Sequence, residues 1–136
     1  MHNFKWPIRV YMQDVDIGQV VYHPRYLSFA EHARTEWLRS NGFNRLEIIE
    51  KYGVYFIVVD IHAAYFVPAK LDDLLEVGVQ ITHLARASVT MVQEIVRNST
   101  IVAKVVVKLA VVNLQGKPVR FPEALYQLMN EQKNTE

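Results

Sequence analysis

The sequence predicts an α+β protein in which helices lie against one face of an antiparallel sheet. Three observations predict it. Between residues 26 and 37 apolar side chains recur at spacings of three and four, the pattern of a helix buried along one stripe. From residue 54 onward the apolar period changes to two, as in half-buried strands. The runs with that period are joined by short connections, which favour antiparallel neighbours over parallel crossovers.

Residues 4–11 alternate around Ile8 and Val10, and Pro7 suits a sheet edge, so a first strand is expected there. Residues 14–21 read as a loop in which Gly18 supplies backbone freedom. Pro24 fits a first helical turn, where its missing N–H is no loss, and this places His23 at the N-cap. Tyr26, Phe29, Ala30, Ala33 and Trp37 draw the buried stripe, Leu27 and Leu38 widen it, and Glu31, His32, Arg34, Glu36 and Arg39 fill the remaining faces. Asn41-Gly42 ends the helix with residues that tolerate a left-handed cap. A second helix is expected over residues 45–52, with Leu46 and Ile49 inward beside Ile48, closing at Gly53.

In residues 54–67 the odd positions are apolar, from Tyr55, Ile57, Val59 and Ile61 to Val67, the even set carries Asp60 and His62, and Pro68 stops the strand. Leu71-Asp72-Asp73 turns the chain into one half-buried strand bearing Leu75, Val77, Val79 and Ile81, in which Gly78 marks a bulge. Ala85-Arg86-Ala87 leads to a strand over residues 88–97, and Asn98-Ser99 is a tight turn into the longest strand. That strand sets Ile101, Ala103, Val105, Val107, Leu109 and Val111 on one face and Lys104 and Lys108 on the other. After a turn at Gln115-Gly116, Pro122 opens a last helix carrying Ala124, Leu125, Leu128 and Met129, with a frayed polar tail after Asn130. The expected order is strand, long helix, short helix, four strands, helix, in a single domain over residues 1–136.

Composition excludes several function classes. A chain of 136 residues with 51% hydrophobic content can bury a sizeable core. Its net charge of +1, with both signs spread along the chain, gives no basic stripe, so no nucleic-acid partner is expected. The absence of cysteine removes thiol nucleophiles, disulfides and thiolate metal sites. Phe4, Lys5, Trp6 and Pro7 do not follow the basic-then-apolar plan of a signal peptide, and Lys104 and Lys108 break the longest apolar run, so no membrane span is expected. The five histidines lack metal-ligand spacing. The expectation is a cytoplasmic protein with no metal and no other cofactor.

The chemistry concentrates in residues 14–37. Asp14 and Asp16 flank the start of a glycine-containing loop, an arrangement that in most loops only solvates or turns the chain. Here Val20-Val21-Tyr22 and a helix start follow, and the unpaired N–H groups of a helix N-terminus favour developing negative charge. A carboxylate beside such donors offers a base or nucleophile next to an oxyanion hole, which is what acyl transfer requires.

Asp14-Val15-Asp16, residues 20–24, Tyr26 and the helix segment 29–36 resemble the hotdog-fold acyl-CoA thioesterases of the 4-hydroxybenzoyl-CoA thioesterase family, in particular its YbgC-like branch. The resemblance continues through Tyr65, Pro68-Ala69, Leu71-Asp72-Asp73 and Glu76. It implies a hotdog fold, a curved antiparallel sheet wrapped around one long helix, and a homodimer or homotetramer with active sites between subunits. It further implies that Asp16 is the catalytic carboxylate, as nucleophile or general base, that the His23 backbone N–H binds the thioester oxygen, and that Asp14 supports the loop. The family pattern has glycine three residues after the catalytic Asp, whereas this chain has Gln19, with Gly18 one place earlier. If that position needs a positive φ, Gln19 must strain or reshape the loop.

Other residues carry weaker expectations. Tyr22 and Tyr26 are candidates for the acyl site, and Arg86 and Ser88 for the phosphates of coenzyme A, because a guanidinium at a turn suits phosphate geometry. Glu31 is a supporting candidate whose simpler reading is a polar contact with Arg34 or Thr35 at helical spacing. His32 reads as a helix-face residue, His62 beside Asp60 as a weak pair, and Trp37 as core. A second apolar face on the longest strand, formed by Val102, Val106, Ala110 and Val112, calls for cover and so for oligomerisation. The function expected is hydrolysis of an acyl-CoA thioester. The alternatives are a non-catalytic acyl-binding module, motivated by Gln19, and a hydroxyacyl thioester dehydratase of the same fold.

Overall fold

The computed structural model describes residues 4–134. Among them six strands form one curved antiparallel sheet: β1 (Lys5–Arg9), β2 (Val54–Tyr65), β3 (Leu74–Gly78), β4 (Gln80–Leu84), β5 (Ser88–Arg97) and β6 (Thr100–Asn113). The main path runs β1-β3-β5-β6-β2, and β4 pairs with β5. The long helix α1 (Arg25–Ser40) lies against β1, β3, β5 and β6, α2 (Arg45–Tyr52) packs on β2, and α3 (Glu123–Asn134) packs on β4. This is the sheet-around-helix arrangement that the family resemblance implies.

The α1 stripe behaves as its spacing requires, with Tyr26, Phe29, Ala30, Ala33 and Trp37 all buried. They meet the inward row of β6, where Ala103, Val105, Val107, Leu109 and Val111 are buried in turn. Asn44 caps α2 by accepting the Glu47 N–H at 2.8 Å, and Gly53 closes it in the left-handed region at φ 66°. Pro7 sits on β1, an outer strand, where its missing donor breaks no ladder.

Five expectations need correction. The run expected as one strand over residues 75–82 divides after Gly78 into β3, which pairs with both β1 and β5, and β4, which pairs with β5 only. On α2 only Ile48 is buried, whereas Leu46 and Ile49 face outward, because two turns of helix present a single stripe to β2. On β2 the residues packed on the core are Val54, Phe56 and, beyond a bulge, Ala63, whereas the apolar odd positions Tyr55, Ile57, Val59 and Ile61 are exposed. A bulge between Val58 and Asp60 shifts the register there. On β6, Val102 and Val112 are already covered within the chain: Phe66 and Val67 donate their N–H groups to Val102 O, and Val112 bridges Pro118. Lastly, α3 continues past Asn130 to Asn134.

Candidate active site

The segment between β1 and α1 is built by backbone bonds that leave two groups open. After β1, a 3-10 turn (Met12–Asp14) buries the Asp14 carboxylate, which is 3% exposed. Asp14 Oδ2 accepts the Tyr11 N–H at 2.8 Å, and Oδ1 accepts Arg25 Nε and Nη2 at 3.0 and 2.8 Å. A buried carboxylate with a two-pronged guanidinium partner is a fixed strut between the loop and the first turn of α1.

Next comes a small hairpin. Val15 bridges Val21, the Asp16 N–H donates to Val20 O at 3.0 Å, and the Gln19 N–H donates back to Asp16 O at 2.9 Å. The Asp16 side chain is exposed; Oδ1 accepts the Gly18 N–H at 2.9 Å, and Oδ2 has no partner among the described residues. Gln19 adopts φ 64°, the left-handed conformation that favours glycine, so the loop keeps its shape and strains this residue. The returning arm is pinned to the chain before β3: Val20 bridges Lys70, and the Val21 N–H donates to Ala69 O at 2.8 Å.

The start of α1 differs from the expected cap. Pro24, in helical conformation, is the N-cap, so the helix begins one residue later than His23 as cap would place it. The N–H groups of Arg25, Tyr26 and Leu27 are taken by the carbonyls of Tyr22, His23 and Pro24 in tight first-turn bonds. The His23 N–H has no acceptor among the described residues. The unpaired backbone donors at this helix start therefore narrow to one group. It lies two residues beyond Val21, on the arm that faces Asp16 across the hairpin.

Aromatic rings form the wall beside it. The His23 ring meets Tyr22 edge-on at 5.2 Å and Tyr65 at 6.0 Å, and Tyr65 lies 5.5 Å from Tyr26. Tyr22 is half exposed and presents its ring. Tyr26 is buried, and its hydroxyl oxygen accepts the Ala69 N–H at 3.0 Å, so it supports the wall from behind. Burial pushes that hydroxyl's pKa up, against the opposing effect of the Ala69 N–H. Sequence reasoning left Tyr65 without a role in the site and missed Arg25; no local spacing links Arg25 to Asp14, eleven positions away.

The remaining candidates lie elsewhere. Arg86 stacks over the Tyr126 ring at 4.2 Å and pairs with Glu123 at 3.3 Å, both on α3. Ser88 begins β5, whereas the Asp16 loop adjoins the segment before β3, at the end of the sheet where β5 finishes. A ten-residue strand puts roughly 30 Å between those ends. One chain therefore does not bring Arg86 or Ser88 to Asp16. Glu31 accepts the Thr35 hydroxyl and lies 3.8 Å from Arg45, away from the hairpin. His32, Asp60 and His62 are exposed, and Trp37 is core. Among the described residues, which exclude His2, no cluster of three or more His, Asp or Glu side chains is placed to hold a metal.

Comparison with known proteins gives concordant results. The model of the thioesterase-like superfamily matches residues 10–129. The chain is 42% identical over 123 residues to an acyl-CoA thioesterase YbgC of Haemophilus influenzae, covering 90% of each protein. It is 38% identical over 124 residues to an acyl-CoA thioester hydrolase YbgC of Escherichia coli, covering 90% of this chain and 92% of that one. Among solved structures, a probable thioesterase from Bartonella henselae superposes with a TM-score of 0.83 at 35% identity, covering 87% of this chain and 98% of the other.

Proposed function

This chain belongs to the thioesterase-like superfamily and is a thioester hydrolase, and from that premise we propose that Asp16 and the His23 backbone N–H together cleave the thioester of an acyl-CoA. The observation that carries the reading is a pair of open groups on the hairpin and the helix start that follows it: among the described residues, an Asp16 carboxylate oxygen has no partner and the His23 N–H has no acceptor. The thioester oxygen accepts the His23 N–H, which stabilises the negative charge it gains when the carbonyl carbon is attacked. Asp16 either attacks that carbon or removes a proton from the attacking water. The C–S bond then breaks and the coenzyme A sulfur takes up a proton. With water as the attacking group the acyl product is the carboxylic acid; with Asp16 as nucleophile it is an acyl–Asp16 anhydride, which water hydrolyses to the acid and the free carboxylate. Asp14 and Arg25 hold the loop, and Tyr22 with Tyr65 lines the approach.

The same proposal includes a second copy of the chain. β2 is the outermost strand on its side of the sheet, and Ile57, Val58, Val59 and Ile61 along it are exposed, Val58 and Ile61 on the helix side opposite Leu109 and Val107. An open edge of that kind is covered by pairing. A homodimer, or a tetramer of such dimers, would also bring a partner's Arg86 or Ser88 within range as coenzyme A ligands.

Release of free coenzyme A from short-chain, long-chain and aromatic acyl-CoAs tests the assignment. Asp16→Asn is expected to lower kcat by about 10²–10⁴-fold. Full activity in Asp16→Asn would remove Asp16 from the mechanism, and wild-type binding of acyl-CoA without release would favour the acyl-binding module. Single-turnover hydrolysis in ¹⁸O-labelled water tests for direct attack, because an acyl–Asp16 anhydride opened by water at the Asp16 carboxyl carbon leaves label in that carboxylate, whereas the general-base route leaves none there.

A further inference from the structure

Halfway along α1 a cationic side chain lies in the core, in no ion pair among the described residues. Arg34 is 4% exposed. Its Nη1 donates to Gln93 Oε1 at 3.1 Å, its Nε–H reaches no acceptor, and among the described residues no ion pair includes it. Gln93 is fully buried, and its Nε2 donates to Ala30 O at 2.8 Å, which fixes the amide with its oxygen toward Arg34. The guanidinium is thus held in place while its Nε–H stays buried and unpaired. Burial first, and then Arg45, push its pKa down to about 10 against the opposing effect of the Glu31 carboxylate, which itself lies 3.8 Å from Arg45, so Arg34 is still charged at neutral pH. A buried polar group with so few partners calls for a ligand.

Two adjoining chambers lead to it. Arg34 lines an inner cavity of about 20 Å³ together with Arg45, Trp37, Phe56, Met91 and Met129. Arg45 and Phe56 also line an outer pocket of about 240 Å³, whose other walls are Ile48, Ile49, Val54 and Tyr55. The Arg45 guanidinium stands 5.9 Å from the centre of the Phe56 ring, so these two side chains form the partition. Arg34 lies nine residues along α1 from Arg25, roughly 14 Å at 1.5 Å per residue, so the chambers are separate from the Asp16 hairpin of the same chain.

We propose that the two chambers form one binding site for a small apolar monocarboxylic acid, its carboxylate held by Arg34 and Arg45 and its hydrocarbon body in the outer pocket. Volume sets the orientation. The inner cavity holds about one water-sized group, so only a head group enters it, when Arg45 and Phe56 shift apart. Charge sets the class: Arg34 and Arg45 face the single carboxylate of Glu31, so a monocarboxylate balances the remaining positive charge, whereas a neutral ligand does not and a dianion strands its second charge among Ile48, Ile49 and Val54. A carboxylate accepts two parallel N–H groups from a guanidinium, which suits Arg34 with its unpaired Nε–H. The inference does not depend on the hydrolytic reading, because the site is tested without any thioester.

The test is titration of the full chain with hexanoate, benzoate, 1-hexanol and adipate, followed by calorimetry and by the fluorescence of Trp37 in the inner wall. One saturable site per chain is expected for the monocarboxylates, at least about tenfold tighter than for hexanol or adipate, and unchanged in Asp16→Asn. Arg34→Gln should weaken hexanoate by about tenfold or more. Ile49→Trp, a change at a partly exposed position that fills the outer pocket, should abolish binding and serves if Arg34→Gln does not fold. The proposal is overturned by equal binding of hexanol, by undiminished binding in either variant, or by no saturable binding to wild type, which would leave a buried water as the partner of Arg34.

Discussion

Gln19 shows what the hairpin demands of a single residue. At φ 64° its side chain costs about 1–2 kcal/mol that glycine would not. Its N–H closes the turn onto Asp16 O, and its carbonyl accepts the Leu71 N–H at 3.4 Å, so the neighbours hold it there. Gln19→Gly relieves the strain but adds about 0.5–1 kcal/mol of chain entropy to the unfolded state. A net gain of up to about 1 kcal/mol in urea denaturation is expected, and a loss would mean the side chain makes a contribution of its own. Gly18 matters through proximity: a Cβ added there would stand 3.3 Å from Asp16 Oδ1. Gly18→Ala should shift the carboxylate by a few tenths of an ångström and lower kcat by up to about tenfold, with an unchanged unfolding midpoint. The sequence showed the departure at Gln19 and posed the alternatives of strain or a reshaped loop; only the backbone angle decides for strain.

At the scale of elements, the site depends on how the segment before β3 is tied to the sheet. Arg97, at the end of β5, pairs with Asp73 at 2.6 Å and donates to Pro68 O, and this holds residues 68–73 under the returning arm of the hairpin. Burial pushes the Asp73 carboxyl up, but the Lys70 N–H and the Arg97 guanidinium outweigh it and hold the carboxyl below its ordinary value of 3.8. A carboxyl lowered in the folded state adds stability that is fully present above 3.8 and is lost as pH falls through the lower folded value. Urea midpoints measured from about pH 5 down to about pH 2 should therefore fall less steeply in Asp73→Asn than in wild type; parallel curves would exclude the clasp as a source of acid sensitivity. Element identities were largely legible in advance because periods of three to four and of two each mark a face. Their orientation on weakly patterned segments was not. β2 is apolar on almost every residue, so alternation does not choose its inner face, and α2 offers three apolar residues for one buried place.

Across the whole molecule, the exposed apolar edge of β2 is the feature that one chain does not resolve by itself. Val58 is 50% and Ile61 38% exposed on that open edge. Native mass measurement is expected to find a dimer or larger assembly. The double variant Val58→Lys, Ile61→Lys, which puts charges on the edge, is expected to be monomeric and to lose most of its thioesterase activity. A fully active monomer would contradict both the interface and the dependence of the site on a second copy.

The sequence by itself determined the α+β class, the position of the central helix, its buried stripe and the stretch in which the chemistry lies. Each of these is a local property: a period, a cap or a motif within a few turns of chain. Only the tertiary structure decided that Arg25 braces Asp14, that Tyr65 joins the wall beside His23, that the His23 N–H has no acceptor among the described residues while the first turn of α1 satisfies itself, and that Arg34 is buried with its Nε–H unpaired. Most of these pairings join residues whose separation along the chain carries no signal, and the others depend on which donors the folded backbone consumes. The physical reason is that burial and hydrogen-bond satisfaction are set by what packs against a residue, and its neighbours in sequence do not specify that.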